Sequence, residues 1–185
     1  MRVIAGTAKG YGLKSLRGSG IRPTSDLLRG AIFSMLESVA NDWSRVLDLY
    51  AGTGALGIEA LSRGAGSADF VEKKPRFCAL IKENLRRTGL ADHGTVYCMS
   101  VAKAPSVLKG EYGILLMDPP YADASVGATA EMVASSHLIG KDSTLVIEHS
   151  RRVPLEERYG GLRQVRNLHH GDSYVSVYQY SEGDA

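Results

Sequence analysis

Gly113-Ile114-Leu115-Leu116-Met117 runs without a polar side chain into Asp118-Pro119-Pro120-Tyr121, and no other stretch limits the fold so tightly. An uninterrupted apolar run of this length reads as a strand covered on both faces, the pattern of a parallel sheet between helices. The two prolines fix φ near −65° and remove two backbone donors, so the strand has to stop and turn there. An Asp and a Tyr are therefore held on a stiff loop at the carboxyl edge of a sheet, where open α/β folds bind ligands. Taken alone, such a tetrapeptide is also an ordinary turn, so a second site has to support a functional reading.

Apolar runs and helical segments alternate on both sides of this strand. Val46-Leu47-Asp48-Leu49-Tyr50 reads as a buried strand, followed by a turn over 51–57 and a helix through Ile58, Ala60 and Leu61. Residues 67–71 read as the next strand, ending at Glu72, and Pro75 opens a helix carrying Phe77, Cys78, Leu80, Ile81 and Leu85. Residues 95–99 and 143–147 complete the parallel set, with helices over 101–108 and 125–138. The tail follows a different pattern, in which 162–168 and 174–180 pair across His169 to Ser173 as an antiparallel hairpin. Together these segments predict an α/β fold with a seven-stranded, mostly parallel sheet closed by an antiparallel carboxyl-terminal hairpin.

The amino-terminal end is different in kind. Residues 2–5 and 11–16 alternate weakly around Gly6-Thr7-Ala8-Lys9-Gly10, which predicts a small glycine-rich β-hairpin. It has too little apolar surface to fold alone, so it must lean on the main body or on a partner. Residues 1–30 carry Arg2, Lys9, Lys14, Arg17, Arg22 and Arg29 against one acid, Asp26. The hairpin is therefore either padding for the fold or an RNA-contacting arm. Behind it, Leu27, Leu28, Ala31, Ile32, Met35 and Leu36 recur at helical spacing, with Thr24 or Ser25 as the cap. Arg22, Thr24 and Asp26 either start this helix and do no more, or line the rim of a site.

The remaining totals exclude several classes. A chain of 185 residues with net charge +2 is one soluble domain without global polyelectrolyte character. Cys78 and Cys98 show no C-x-x-C spacing, which suggests a reduced, cytoplasmic protein. No apolar run approaches the ~18 residues of a membrane span, and the basic amino terminus lacks an apolar signal core. The five histidines have no metal-ligand spacing, so no metal is expected.

The second site is Gly52-Thr53-Gly54-Ala55-Leu56-Gly57, a G-x-G-x-x-G after a strand and before a helix. With Glu72 at the end of the next strand it fits a nucleotide-type ligand: glycines permit close approach, and the carboxylate can accept both ribose hydroxyls. NAD and S-adenosylmethionine both match this pattern. A dinucleotide would bring pyrophosphate to the helix amino terminus, close to the negative charge of Asp48. S-Adenosylmethionine has no phosphate and is cationic at its sulfonium and ammonium, so Asp48 suits it better. Asp48 also has a structural alternative, as an acceptor for loop amides.

These residues resemble the bacterial RsmD-type methyltransferases. The resemblance covers nearly the whole chain: Arg22-Pro23-Thr24, Arg29 to Phe33, Asp48 to Ala65, Phe70-Val71-Glu72-Lys73, Asn84-Leu85, Asp118 to Tyr121, Glu148-His149-Ser150 and Gly171-Asp172. It implies a Rossmann-like S-adenosylmethionine-dependent methyltransferase fold over 23–185, with 1–22 as a basic amino-terminal extension. It implies methylation of the exocyclic N2 amine of a guanine in 16S ribosomal RNA, with 16S rRNA or a small-subunit assembly particle as partner and a monomer as the working state. The implied cofactor residues are Asp48, Ala51, Gly52, Thr53, Gly54, Glu72, Lys73, Ser100 and Val101. The implied RNA-binding residues are Arg2, Lys9, Lys14, Arg22, Thr24 and Tyr121. One departure stands out. Relatives usually have Gly-Asp-Ala after the third strand, where this chain has Met99-Ser100-Val101. The acid that approaches the adenine amine is thus absent, so that hydrogen bond is either weakened or replaced by the Ser100 hydroxyl, while the Val101 amide can still meet the adenine ring.

For that chemistry, Asp118, Pro119 and Tyr121 divide the work. An exocyclic amine is a poor nucleophile because its lone pair is delocalised into the ring. Acceptors aimed at its two hydrogens, the Asp118 carboxylate and the Pro119 carbonyl, favour the tetrahedral nitrogen that attacks. The Tyr121 ring offers a face for the extruded base. A DNA or small-molecule amine methyltransferase would share this loop. An NAD-binding oxidoreductase would leave it unexplained, and a non-catalytic RNA-binding module would leave both sites unexplained.

Overall fold

The computed structural model describes residues 1–16, 25–120 and 123–180. Helix α1 spans Asp26–Val39, and the Ser25 side chain accepts from the Leu28 amide at 3.1 Å, so Ser25 is the cap. The β-α alternation follows as β1 (Arg45–Leu49), α2 (Ala55–Ser62), β2 (Ser67–Glu72), α3 (Pro75–Arg87) and β3 (Gly94–Cys98). A 3-10 turn over 101–103 leads into the short α4 (Ala104–Val107), then β4 (Ile114–Met117), α5 (Val126–Ala134) and β5 (Thr144–Ser150). The chain closes with β6 (Arg158–Tyr159), β7 (Leu162–His170) and β8 (Ser173–Tyr180).

The strands form one sheet in the order β3-β2-β1-β4-β5-β8-β7-β6. Its first five strands are parallel and its last three antiparallel. Seven strands are those expected from the sequence. The eighth, β6, is two residues long and pairs only with the start of β7, too short for any periodicity to register. The hairpin is longer than its sequence suggests, because His169 pairs with Tyr174 and stacks on it at 5.5 Å between ring centroids. That contact carries the strands inward until Gly171-Asp172 alone make the turn.

Each strand divides its side chains between two cores, as a sheet covered on both faces must. Val46, Phe70, Ile114, Leu116 and Val146 face a layer built from α1, α2 and α3. Leu47, Leu49, Val71, Leu115, Met117 and Ile147 face α4 and α5. Among the described residues no helix is long and apolar enough to cross a membrane.

The amino-terminal arm joins the first of these layers. It pairs as a loose turn, with one bridge between Arg2 and Gly12 and no extended strands. Val3, Ala8 and Leu13 are buried in the core with α1 and α2. Polar bonds fix its path. The buried Glu59 carboxylate on α2 accepts from the Ile4 and Ala5 amides at 2.8 and 3.0 Å. It also accepts from Arg63 Nε at 2.9 Å and lies 3.8 Å from buried Arg29. Ser62 Oγ accepts from the Ala8 amide, and the Ser62 carbonyl accepts from the Thr7 amide. The arm therefore leans on the main body, as its small apolar surface requires.

Gly6 is where the arm comes closest to α2: a Cβ there would lie 1.7 Å from the Ser62 carbonyl oxygen, at φ +79°. Gly6→Ala is expected to detach the arm while the sheet stays folded. Hydrogen exchange checks this: the Ile4, Ala5 and Ala8 amides should exchange roughly tenfold faster or more, with β4 and β5 unchanged. Equal protection of all three amides in both proteins would show that the contact does not hold the arm.

Candidate active site

The order of the sheet reverses between β1 and β4, and such a reversal leaves a crevice at the carboxyl ends of the strands. Leu49 pairs with Val71 on one side and with Met117 on the other. The next residue along each chain is Tyr50, Glu72 and Asp118, so these three lie at one level, with Glu72 the last paired residue of β2 and the other two just past their strands. Neighbouring strands lie about 4.8 Å apart. The glycine loop and the Asp-Pro-Pro loop are thus adjacent. Asp118 is half-buried and Pro119 buried. Tyr121 lies outside the described residues, as do Arg22 and Thr24.

The glycine loop is built by backbone strain and carboxylates. Tyr50 has φ +62°, the one described non-glycine residue in the left-handed region, and its hydroxyl meets Thr129 Oγ1 at 3.3 Å. Gly52 at +54° and Gly54 at +79° continue the reversal, and Gly54 caps α2. A Cβ on Gly52 would meet only the Tyr50 carbonyl, at 3.8 Å, so this stretch of backbone stands open to a ligand. Gly57 serves a different purpose: a Cβ there would lie 2.3 Å from the Phe70 ring, so glycine lets α2 pack on the sheet.

Two buried carboxylates face this loop. Glu72 accepts from the Gly52 amide at 3.0 Å and from the Lys74 amide at 2.8 Å. One oxygen of Asp48 accepts from the Gly57 amide at 2.9 Å. The alternative role of Asp48, holding a loop amide, is therefore seen in the structure. Burial pushes the Asp48 carboxyl up to about 7, and the Glu72 charge pushes the same way against the Gly57 hydrogen bond. A cationic ligand group beside this pair would favour the ionised form, whereas a phosphate would oppose it.

The other expected cofactor residues divide. Ala51 is buried, and its amide donates to the Val71 carbonyl at 3.0 Å. Thr53 presents its carbonyl to Asn84 Nδ2 at 2.9 Å. The Met99 amide donates to the Glu72 carbonyl, which brings half-buried Ser100 and buried Val101 up beside Glu72. Lys73 stands exposed in the following turn. The expected RNA residues of the arm are engaged elsewhere or exposed, although the Lys14 backbone meets Asn84, which also binds the Thr53 carbonyl. Arg2 pairs with Asp26 at 3.6 Å, Lys14 pairs with Glu83 at 3.1 Å, and Lys9 is exposed.

Three contributors lacked a functional reading in the sequence. Tyr50 carries no signal, since nothing marks a tyrosine for positive φ. Asn84 does carry one: it sits on the apolar stripe of α3 with Phe77, Ile81 and Leu85 and is fully buried. His149, at the end of β5, is held internally. Its Nδ1 faces the Ser150 and Val153 carbonyls at 3.2 and 3.0 Å, so this nitrogen carries the proton, and Nε2 meets Ser176 Oγ at 3.0 Å. Burial lowers its pKa and keeps it neutral.

A Rossmann-like sheet with an open glycine loop beside a strand-end carboxylate at the switch point defines a methyltransferase-type fold. The family model described as "Conserved hypothetical protein 95" matches residues 1–179. The chain belongs to that family, the RsmD-type methyltransferases. It is 36% identical to a putative rRNA methyltransferase, YlbH, of Bacillus subtilis, across 97% of this chain and 98% of that protein. It is 30% identical to the ribosomal RNA small subunit methyltransferase D of Escherichia coli, across 80% and 74% respectively. Among solved structures, the putative methyltransferase yhhF from Escherichia coli superposes with TM-score 0.83 at 25% identity, covering 97% of each chain.

The raised pKa of Asp48 makes a testable contribution to stability. A carboxyl whose folded pKa lies above its unfolded value stabilises the fold at low pH, and that contribution is lost as pH rises through about 7. Asp48→Asn keeps the acceptor for Gly57 and does not titrate. Between pH 5 and 8 the stability difference is expected to move in favour of the variant by on the order of 1–3 kcal/mol. Urea unfolding of both proteins at each pH measures it, and parallel pH dependence would show that Asp48 is ionised throughout.

Proposed function

We propose that the chain transfers a methyl group from S-adenosylmethionine to the exocyclic N2 amine of a guanine in 16S rRNA. The observation that carries this reading is the pairing of Leu49 with Met117, which sets the glycine loop beside Asp118. The residues present fit the cofactor. Gly52 offers an open stretch of backbone, Glu72 is placed to take a ribose, and Asp48 supplies charge for a cationic group. When bound, S-adenosylmethionine supplies an electrophilic methyl group on a sulfonium. Ser100 and Val101 stand beside Glu72 and bound the adenine end.

Asp118 and the Pro119 carbonyl act on the substrate. Each accepts a hydrogen bond from the amine, which draws the lone pair out of conjugation and complements the positive charge that develops on nitrogen. Asp118 need not be a strong base beforehand, because the amine proton becomes acidic only as the new bond forms. The base has to leave its stack to reach this loop, and Tyr121 is the aromatic surface proposed to hold it. The names of the relatives support rRNA as the substrate class. Buried Asp48 argues against an NAD site, since its charge would lie close to a pyrophosphate at the helix amino terminus.

Labelled methyl transfer to undermethylated 16S rRNA and to 30S particles, with identification of the product nucleoside, tests the proposal. N2-methylguanosine is the expected product. N6-methyladenosine, or transfer to neither RNA, would overturn it. Asp118→Ala is expected to cut turnover by about 10²-fold or more while S-adenosylhomocysteine affinity stays within about threefold. Turnover like that of the wild type would remove Asp118 from the mechanism.

The arm is proposed to contact the RNA backbone through Arg2, Lys9 and Lys14. Deleting it would strip Val3, Ala8 and Leu13 from the core, so a charge substitution is the cleaner probe. Lys9→Ala is expected to weaken rRNA binding uniformly and to lower the slope of log affinity against log salt by roughly one. An unchanged slope would return Lys9 to a structural role.

A further inference from the structure

Asn84 joins two segments that the proposed function uses separately. Its Nδ2 donates to the Thr53 carbonyl at 2.9 Å, inside the glycine loop, and to the Lys14 carbonyl at 3.1 Å, at the end of the arm. Its Oδ1 accepts from the Lys14 amide at 2.9 Å. Lys14 is thus gripped by both backbone groups, as a neighbouring strand would grip it. The side chain is fully buried, and both of its donor hydrogens are used. A buried amide in this state cannot release one partner without stranding a polar group away from water.

We propose that Asn84 is a positioning residue that couples cofactor binding to rRNA binding. The inference rests on the rRNA methyltransferase reading and adds a linkage to it. Thr53 lies between two glycines in left-handed conformations, so the orientation of the peptide it shares with Gly54 depends on the hydrogen bonds at its two ends. The bond to Asn84 sets the plane of the Thr53–Gly54 peptide, whose N–H donates to the Ala51 carbonyl at 2.7 Å. A ligand lying on this backbone holds the same peptide still. That fixes the Asn84 amide, and the fixed amide holds Lys14. The other anchors of the arm, Glu59 and Ser62, sit on the helix that opens directly from the loop. The end of the arm is therefore tied to the loop through Asn84, and its start is tied to the helix that follows the loop. By linkage, RNA on the arm tightens cofactor binding by the same factor.

A purely structural amide would behave differently. Its loss would weaken both ligands independently and leave the ratio of RNA affinities, with and without cofactor product, unchanged. The experiment measures that ratio on the full chain, using unmodified 16S rRNA transcript with and without saturating S-adenosylhomocysteine. The wild type is expected to bind the RNA about fivefold tighter or more with the cofactor product present. In Asn84→Ala and Asn84→Asp the ratio is expected to fall to about one. Asn84→Asp keeps the acceptor for the Lys14 amide but removes both donors. Should these variants fail to fold, the wild type alone decides through hydrogen exchange at the Lys14 amide. Its protection is expected to rise several-fold on adding S-adenosylhomocysteine. A wild-type ratio of one, unchanged Lys14 protection, or a ratio retained in folded variants overturns the coupling. Calorimetry of S-adenosylhomocysteine alone separates the two failures: with no binding, the methyltransferase reading falls and the coupling with it.

Discussion

The parallel pairing of β1 with β4 is the contact on which the arrangement depends. It is the point where the winding of the sheet reverses, so the chain leaving β1 and the chain leaving β4 turn away from each other and open a crevice. The register places Leu49 opposite Met117. A slip of one residue would turn every side chain of one strand to the opposite face. Asp48 would then leave α2, and Asp118 would leave the level of Glu72. The register is secured by burial on both faces, since each misplaced residue would exchange one core for the other. The chemistry of the site is thus fixed by apolar packing that never touches a ligand.

Electrostatics works in the opposite direction to packing at this edge. Burying a carboxylate is unfavourable, and a second one beside it adds to the penalty, so Asp48 holds its proton more tightly than a solvated acid. Backbone amides of Gly52, Lys74 and Gly57 offset part of that penalty. The rest is relieved by the proton that Asp48 keeps, or by a positive partner. A site left in this condition would favour a cationic ligand over an anionic one. Selection of the cationic methyl donor over a neutral product would follow from the same imbalance.

Much of this was legible because central strands have no polar face to hide. The runs at 46–50, 67–71 and 113–117 each fell where a strand is found, and the G-x-G-x-x-G and Glu72 fell at their ends. What escaped depended on contacts remote in sequence or on backbone geometry. Asn84 stands out as a polar residue on an apolar stripe, yet its partner Lys14 is 70 positions away. Glu59 sits likewise inside an Ala- and Leu-rich helix, and nothing nearby announces that it captures Ile4 and Ala5. The positive φ of Tyr50 has no compositional mark at all. Strand β6 is too short to show a period, and the hairpin ends moved because a ring stack between His169 and Tyr174 outweighed the turn propensity around it.

The basic arm illustrates how a charge pattern and a packing pattern can coexist in one segment. Its cations suggest a detachable electrostatic tail, whereas Val3, Ala8 and Leu13 are core residues. RNA contact would be compatible with this packing, because the cations and the core residues use opposite faces of the same backbone. Arg2, Lys9 and Lys14 keep their charged groups at the surface, while the Ile4, Ala5, Ala8 and Lys14 amides bind inward to Glu59, Ser62 and Asn84. A tail that had to order itself on RNA would lose affinity to that ordering. Here the ordering is completed during folding, by hydrogen bonds to α2, which follows the glycine loop, and to Asn84 on α3. A phosphate backbone meeting these cations would therefore meet a surface whose geometry is already set by the catalytic domain.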